Sequence, residues 1–388
     1  MKDNIIQLSE KEGITRMTID SMPLWAGVQS RPGIRFEYPF SLAVEGGVLI
    51  RQVTEKEIID KIVQAYQLGS YTFITAPPGA SKWANALGDL SVSTVLEVAG
   101  HARPRSILEV GAGSLYVARK LLDHFQPNEY VVVDPTVHDA MERVEVIHEY
   151  FPHPDLDNRQ FDLVLAFNCL EHVPDPRAFL DAIRARMSPD GLAVLIYPNC
   201  EEQFRQGDLN VFVHEHLSYF TEASSRWLIS ACGLRVNSLF SRHDTFMVVL
   251  SKSFDGQDMP PKPNEMDLFQ ESLTAFNKVI LDKTLIIRDR LAAGQTVGFH
   301  GATNGLNIFL HLTRLGDHPR IRLYDGDDSK VGRYLPACSS PIMSSSDSSY
   351  REANLMVVSA MSYFEPISRF AAEKLDLEKS RLMALAEA

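Results

Sequence analysis

A glycine-bracketed turn between a strand and a helix constrains this chain more than any other feature. Ser106-Ile107-Leu108-Glu109-Val110 reads as a short apolar strand, Gly111-Ala112-Gly113 follows at once, and a helix runs on through Leu121 and Leu122. Glycines at such a junction let the backbone approach a ligand with no Cβ in between. The helix behind them offers N–H groups that no turn of helix satisfies. Tyr130-Val131-Val132-Val133 is the next strand, and Asp134, followed by Pro135, ends it 21 residues after Gly113. An acidic side chain at that point can accept hydrogen bonds from both ribose hydroxyls of an adenosine. The dinucleotide fingerprint asks for a further Gly or Ala three residues after the second glycine. Tyr116 stands there and opposes the close helix–strand packing of a nicotinamide site, so an oxidoreductase ranks last.

Strand–helix alternation continues. Phe161 to Phe167 and Leu192 to Tyr197 read as strands, with helices over about 176–187 and 222–232. Arg235 to Phe240 and Thr245 to Ser251 can pair antiparallel. Residues 252–264, with Gly256, Pro260, Pro261 and Pro263, read as a linker. A long helix over roughly 265–293 should stop at Gly294. A second strand–loop–helix unit then begins at Thr296, with further strands at Arg320 to Asp325 and Leu355 to Ser359. This is the α/β pattern of parallel sheets covered by helices. It predicts a Rossmann-like domain over 84–253 and a second, C-terminal Rossmann-like domain within 254–388, behind its linker and long helix. Before them lies a small N-terminal region, 1–83, holding strand-like pieces, a helix at 54–67 and a loop from Tyr71 to Lys82.

The bulk numbers narrow the function. At 388 residues and 45% hydrophobic content the chain can bury large cores. Net charge is −12 and no Lys/Arg block occurs, which weighs against a nucleic acid held by its phosphates. No run of ~18 apolar residues suggests a membrane span. The polar stretch Met1 to Glu12 lacks a signal-peptide core, so a cytoplasmic protein is expected. Four scattered cysteines, without a CxxC pair, predict neither disulfides nor a cysteine zinc site.

Val213-His214-Glu215-His216-Leu217-Ser218-Tyr219-Phe220 crowds three titratable side chains into three positions. In an extended segment His214 and His216 would share one face and Glu215 the other. An imidazole suits general-base work near neutral pH. Polar groups merely satisfied in a loop are the bland alternative. A metal is not expected, since the string is not HExxH and no further cluster supports it.

Phe161-Asp-Leu-Val-Leu-Ala-Phe-Asn168-Cys169-Leu170-Glu171-His172-Val-Pro-Asp-Pro176 strongly resembles the segment after the fourth strand of class I S-adenosylmethionine (SAM) dependent methyltransferases. The string His214 to Phe220 resembles the HEHxSYF motif of the sugar C-methyltransferases. Gly298 to Gly305 and Asp325 to Tyr334, through Pro341 and Ile342, are similar to the C-terminal segments of that family. The resemblance covers roughly 105–385. It implies SAM as cofactor, held by Glu109, Gly111, Ala112, Gly113, Asp134, Pro135, Asn168 and Cys169, with Glu109 near the methionine ammonium. It implies a small polar substrate, a nucleotide-linked keto-deoxysugar. His216 would take the proton α to the ketone, and the enolate would attack the methyl group. Glu215 would orient groups or hold a sugar hydroxyl, and His172 would contact the sugar or the oxyanion. Tyr71, His214, Tyr219, His300, Asn304 and Arg333 would line the substrate site.

Two departures stand out. The family begins with a cysteine-built zinc domain, yet no cysteine precedes Cys169. Phe36 to Gln52 resembles that domain with its ligands lost, and is expected to pack by hydrophobic contact alone. The family also carries a tyrosine where this chain has Val213, which keeps an O- or N-methyltransferase, and a non-catalytic nucleotide-binding protein, in play. The C-terminal glycine turn would either bind a nucleotide diphosphate at its helix N-terminus or only close the cleft.

Overall fold

The computed structural model describes residues 5–11, 13–25, 27–34, 36–53, 55, 57–61, 82–99, 103–252 and 259–387. Tyr71, most of the helix expected at 54–67, the loop up to residue 81 and part of the linker lie outside them.

The N-terminal region is an antiparallel meander of β1 (Gln7–Lys11), β2 (Ile14–Pro23), β3 (Glu37–Glu45) and β4 (Leu49–Gln52). Gly46 and Gly47 both take positive φ, 58° and 79°, which is the backbone a tight hairpin between β3 and β4 requires. Helix α1 (Lys82–Ala99) leads into the central unit.

That unit runs β5 (Ser106–Val110), α2 (Tyr116–Phe125), β6 (Glu129–Val133), β7 (Glu145–Ile147), β8 (Phe161–Phe167), α3 (Pro176–Arg186) and β9 (Met187–Pro198). It continues through α4 (Glu201–Gln206), β10 (Ser218–Tyr219), α5 (Glu222–Ala231), β11 (Arg235–Arg242) and β12 (Thr245–Ser251). Seven of these strands form one sheet in the order β11-β12-β9-β8-β5-β6-β7. β5 to β9 pair in parallel, and β12 enters antiparallel between β9 and β11, as the sequence predicts. Helix α2 buries Val117, Ala118, Leu121 and Leu122, a stripe at helical spacing, against the sheet. Helix α3 starts where Asp175 caps the Ala178 amide and Pro176 takes the first turn. Because β6 lies on one side of β5 and β8 on the other, the chain reverses its winding there. The loops after β5, β6 and β8 therefore open a crevice at the carboxyl ends of the strands, the usual ligand position in such sheets.

The long helix α6 (Glu265–Ala292), capped by Asn264, precedes the C-terminal unit. This comprises β13 (Val297–His300), α7 (Asn304–Thr313), β14 (Ile321–Asp325), β15 (Ile342–Ser344), β16 (Leu355–Val358), α8 (Phe364–Leu375) and β17 (Leu382–Ala384). Its sheet is wholly parallel, ordered β15-β14-β13-β16-β17. The fold is thus α/β with two Rossmann-like units.

The N-terminal sheet does not pack by hydrophobic contact alone. It does contribute Met17, Ile19, Phe40 and Leu42 to one apolar cluster with Phe276 of α6 and Phe299 of β13. But β10, from the HEH segment, also joins it as a fifth strand, pairing Tyr219 with Ile50 and Ser218 with Arg51. A backbone ladder therefore ties this region to the motif.

Candidate active site

The glycine turn is built around a close approach. Gly111 and Gly113 have φ of 68° and 62°, and Gly111 N donates to the Val133 carbonyl. A Cβ on Gly111 would lie 2.2 Å from Cys169 Sγ. Cys169 belongs to the loop after β8, which Asn168 (φ 51°) folds back over the turn. Its thiol points to the Val110 and Phe167 carbonyls, 3.3 Å from each, and burial pushes its pKa well up, so it stays neutral.

Asp134 is buried, 3% exposed. Its Oδ2 accepts from Gly113 N at 2.8 Å, while Oδ1 accepts from Thr136 N, Thr136 Oγ1 and Val137 N. Three donors fill the lone pairs of Oδ1, so the carboxylate has room for one ribose hydroxyl, at Oδ2, and not for the two that the sequence suggests. Glu109 lies beneath the turn, 1% exposed, accepting from Tyr130 Oη at 2.6 Å. Burial pushes its pKa up to about 7 against the pull of that hydroxyl. A buried carboxyl in this state gains from a cation set beside it. Gly111, Ala112, Gly113, Pro135 and Asn168 are all half-buried at the crevice. Leu115, at the N-cap of α2, gives the first amides no side-chain cap. A left-handed turn with no room for a Cβ, an uncapped helix start and two buried carboxyls fit the adenosine and the ammonium of SAM.

The HEH segment is a turn and not an extended strand. His216 N donates to the Val213 carbonyl, so His214 and His216 diverge. His214 packs edge-on against Phe40, ring centroids 5.4 Å apart, inside the apolar cluster, and burial lowers its pKa to about 4. Tyr219 is fully buried with its hydroxyl donating to the Val213 carbonyl, which closes the turn from within. Neither side chain meets the crevice where a substrate would lie. His216 instead faces His172 of the β8 loop, centroids 4.9 Å apart.

Two loops distant in sequence are stitched together to make this pair. The Glu171 carbonyl accepts from Leu217 N at 2.7 Å and Ser218 N at 3.1 Å, and His172 Nδ1 lies 2.9 Å from the Glu215 carbonyl. Behind them stands β4. Gln52 Nε2 donates to the His214 carbonyl, and Arg51 donates to Ser218 Oγ and the Pro174 carbonyl. A carbonyl only accepts, so His172 carries its proton on Nδ1 and its lone pair on Nε2. Nε2 faces Glu171 Oε1 at 3.6 Å. Burial lowers His172 to about 4 and His216 well below its ordinary value, so both rings are neutral at pH 7. Burial, with the Glu215 charge adding to it, raises Glu171 to about 8, leaving it protonated there. Glu171, Gln52 and Arg51 were not singled out from the sequence. For Glu171 a signal existed, since it adjoins His172 in a loop already marked by resemblance.

The C-terminal candidates lie elsewhere. His300 is buried, its Nδ1 2.8 Å from Tyr350 Oη. Arg333 is exposed. Asn304 donates to the Phe212 carbonyl, at the root of the HEH turn. Helix α7 does not present an open N-terminus for a diphosphate. Thr303 caps Leu306 N, and Asn210 Oδ1 occupies Gly305 N at 2.8 Å.

Residues 86–239 match the family described as a methyltransferase domain. The C-methyltransferase NovU of Streptomyces niveus is 26% identical over 236 residues, 57% of this chain and 54% of that protein. The chain thus matches about half the length of this curated relative. Among solved structures, a 1,6-didemethyltoxoflavin-N1-methyltransferase of Burkholderia thailandensis, with bound S-adenosylhomocysteine, is 18% identical, covers 54% of this chain and 94% of its own, and has a TM-score of 0.39. An O-methyltransferase family protein of the same species is 15% identical, covers 49% and 64%, and scores 0.35. Likeness at those scores says nothing about substrate. No helix among the described residues is long and apolar enough to cross a membrane. Residues 86–239 form a methyltransferase domain, of the class that takes its methyl group from S-adenosylmethionine.

Proposed function

We propose that this chain is a C-methyltransferase acting on a small polar ketone, of the nucleotide-linked deoxysugar class. The meeting of His216 with His172 beside the glycine-turn crevice carries this reading. The 26% identity to a C-methyltransferase supports it.

His216 is the base. Burial keeps its ring neutral at pH 7, so a lone pair stands ready for the proton α to the ketone. As that C–H bond breaks, its electron pair becomes the enolate. The bound sulfonium supplies an electrophilic methyl group, and the enolate carbon takes it while S-adenosylhomocysteine leaves. Collinear placement of carbon, methyl and sulfur dominates such a transfer. The stitched loops provide it by fixing His216 relative to the glycine turn. His172 is a poor oxyanion donor in its neutral form, because its single N–H is spent on the Glu215 carbonyl. It accepts a substrate hydroxyl at Nε2, and Glu171, protonated at neutral pH, is the group able to donate to the enolate oxygen.

The test is exchange in deuterated water. With S-adenosylhomocysteine and a 4-keto nucleotide sugar, wild type should wash deuterium into the α position. His216→Ala should slow this by roughly 10²–10⁴-fold. Methylation at oxygen or nitrogen, without exchange, would replace this reading with the heteroatom alternative.

A further inference from the structure

We propose that Glu171, His172 and His216 form a site for one divalent transition-metal ion of the zinc class. Each offers one ligand atom, and all three atoms lie within 4.8 Å of one another, with Glu171 Oε1 and His172 Nε2 3.6 Å apart. Around a tetrahedral zinc, with bonds of about 2.0–2.1 Å, donor atoms stand roughly 3.3–3.5 Å apart. Side-chain movements on the order of an ångström therefore close the set around an ion. Two imidazoles and one carboxylate form a donor set that leaves a fourth position open.

Three further observations make this more than proximity. His172 is oriented by Nδ1 against the Glu215 carbonyl, the outer contact that metal-binding imidazoles make, and this turns Nε2 toward the centre. Glu171 is 1% exposed, and its Oε2 finds no hydrogen-bond partner among the described residues. A buried carboxylate oxygen in that position is satisfied by a cation. The two loops are locked by the Glu171 carbonyl on Leu217 N and Ser218 N, so the ligands are preorganised by backbone. Cys169, the nearest thiol in sequence, turns to two carbonyls, which leaves an N/O set and disfavours thiophilic ions.

Metal binding itself does not depend on the proposed reaction. Its consequence does, resting on His216 as the base. An ion holding the His216 lone pair excludes proton abstraction, so metal occupancy would silence C-methylation.

The experiment uses the full chain without an affinity tag, stripped with a chelator and titrated with Co²⁺ as a spectroscopic stand-in. One equivalent should produce the visible bands of a four- or five-coordinate ion, and Zn²⁺ should abolish them. Glu171→Gln and His216→Ala should each weaken binding about tenfold or more, with thermal unfolding checking that each variant is folded. His172→Gln replaces either variant that is not. No saturable binding at one equivalent, or binding unchanged in the folded variants, overturns the inference. Calorimetry with S-adenosylhomocysteine on wild type separates the two readings. Protein that binds this ligand but not Co²⁺ sinks only the metal site, and the reverse result sinks only the cofactor reading.

Discussion

In the central sheet Asp134 accepts from Gly113 N, and in the C-terminal sheet Asp325 accepts from Ala302 N, both at 2.8 Å. Each aspartate ends or follows the second strand of its unit, and each takes a further amide two residues on, from Thr136 or Asp327. The resemblance stops there. Lys330 Nζ sits 2.9 Å from Asp325, and Asn210 fills the start of α7 while also donating to Asp208 and the Ser359 carbonyl. Burial would raise the Asp325 carboxyl, but Lys330 and the two amides outweigh it and hold it below the ordinary range. In the central unit the start of α2 is uncapped by side chains, and burial leaves Glu109 raised. The fold supplies a ligand-binding strand end twice. A few side chains, some from outside the unit, decide whether the protein itself occupies it.

The strongest way to break this contrast is a pair of substitutions. Asp134→Ala should weaken S-adenosylhomocysteine binding roughly 10- to 100-fold in calorimetry, the worth of a charged hydrogen bond. Asp325→Ala should leave that affinity unchanged and lower stability by ~2 kcal/mol, since Lys330 loses its partner. Equal effects of the two on binding would end the distinction.

A pH series sharpens it. Glu109 has a folded pKa of about 7 against an unfolded value of 4.5. Below 4.5 both states hold the proton and nothing is lost. Between these values only the unfolded chain releases it, so stability falls as pH rises, and above 7 the penalty is complete. Glu109→Gln should therefore gain on wild type across this window, reaching on the order of 2–3 kcal/mol in denaturant melts without ligand at pH 8–9. A gain that is flat with pH would show that Glu109 is not held up by burial.

The smallest expected effect is at the clamp. Asn210→Ala should cost ~1 kcal/mol and raise amide exchange at the start of α7, with cofactor affinity intact. Pyrophosphate binding to this variant, and not to wild type, would show that Asn210 stands in for a ligand.

Much of the frame was legible. Gly111, Gly113 and Asp134 announce themselves because a strand, a turn and an acid fall in register locally, and α6 because its stripe and caps are local too. The antiparallel pair β11 and β12 was also readable from adjacent apolar runs. The active-site half was less so. The HEH segment holds no Gly or Pro, and only the Val213–His216 hydrogen bond reveals a turn. That reversal sends His214 into the core and brings His216 to His172. Glu171 and Gln52 matter through partners 43 to 165 positions away, a distance no periodicity reports. Asn210 looked like an ordinary turn residue, and nothing near it in sequence points to Gly305, 95 positions on.

β10 has two residues, yet the edge of the first sheet waits for it. Arg51 and Ser218 are separated by 167 positions. On a ribosome adding about 5–20 residues per second, β4 stays an uncovered strand edge for roughly ten to thirty seconds. Exposed edges of this kind recruit other chains. The segment that carries the base is thus also the one that ends the chain's vulnerable interval during synthesis, so substitutions at Ser218 or Tyr219 should show first as lost soluble yield.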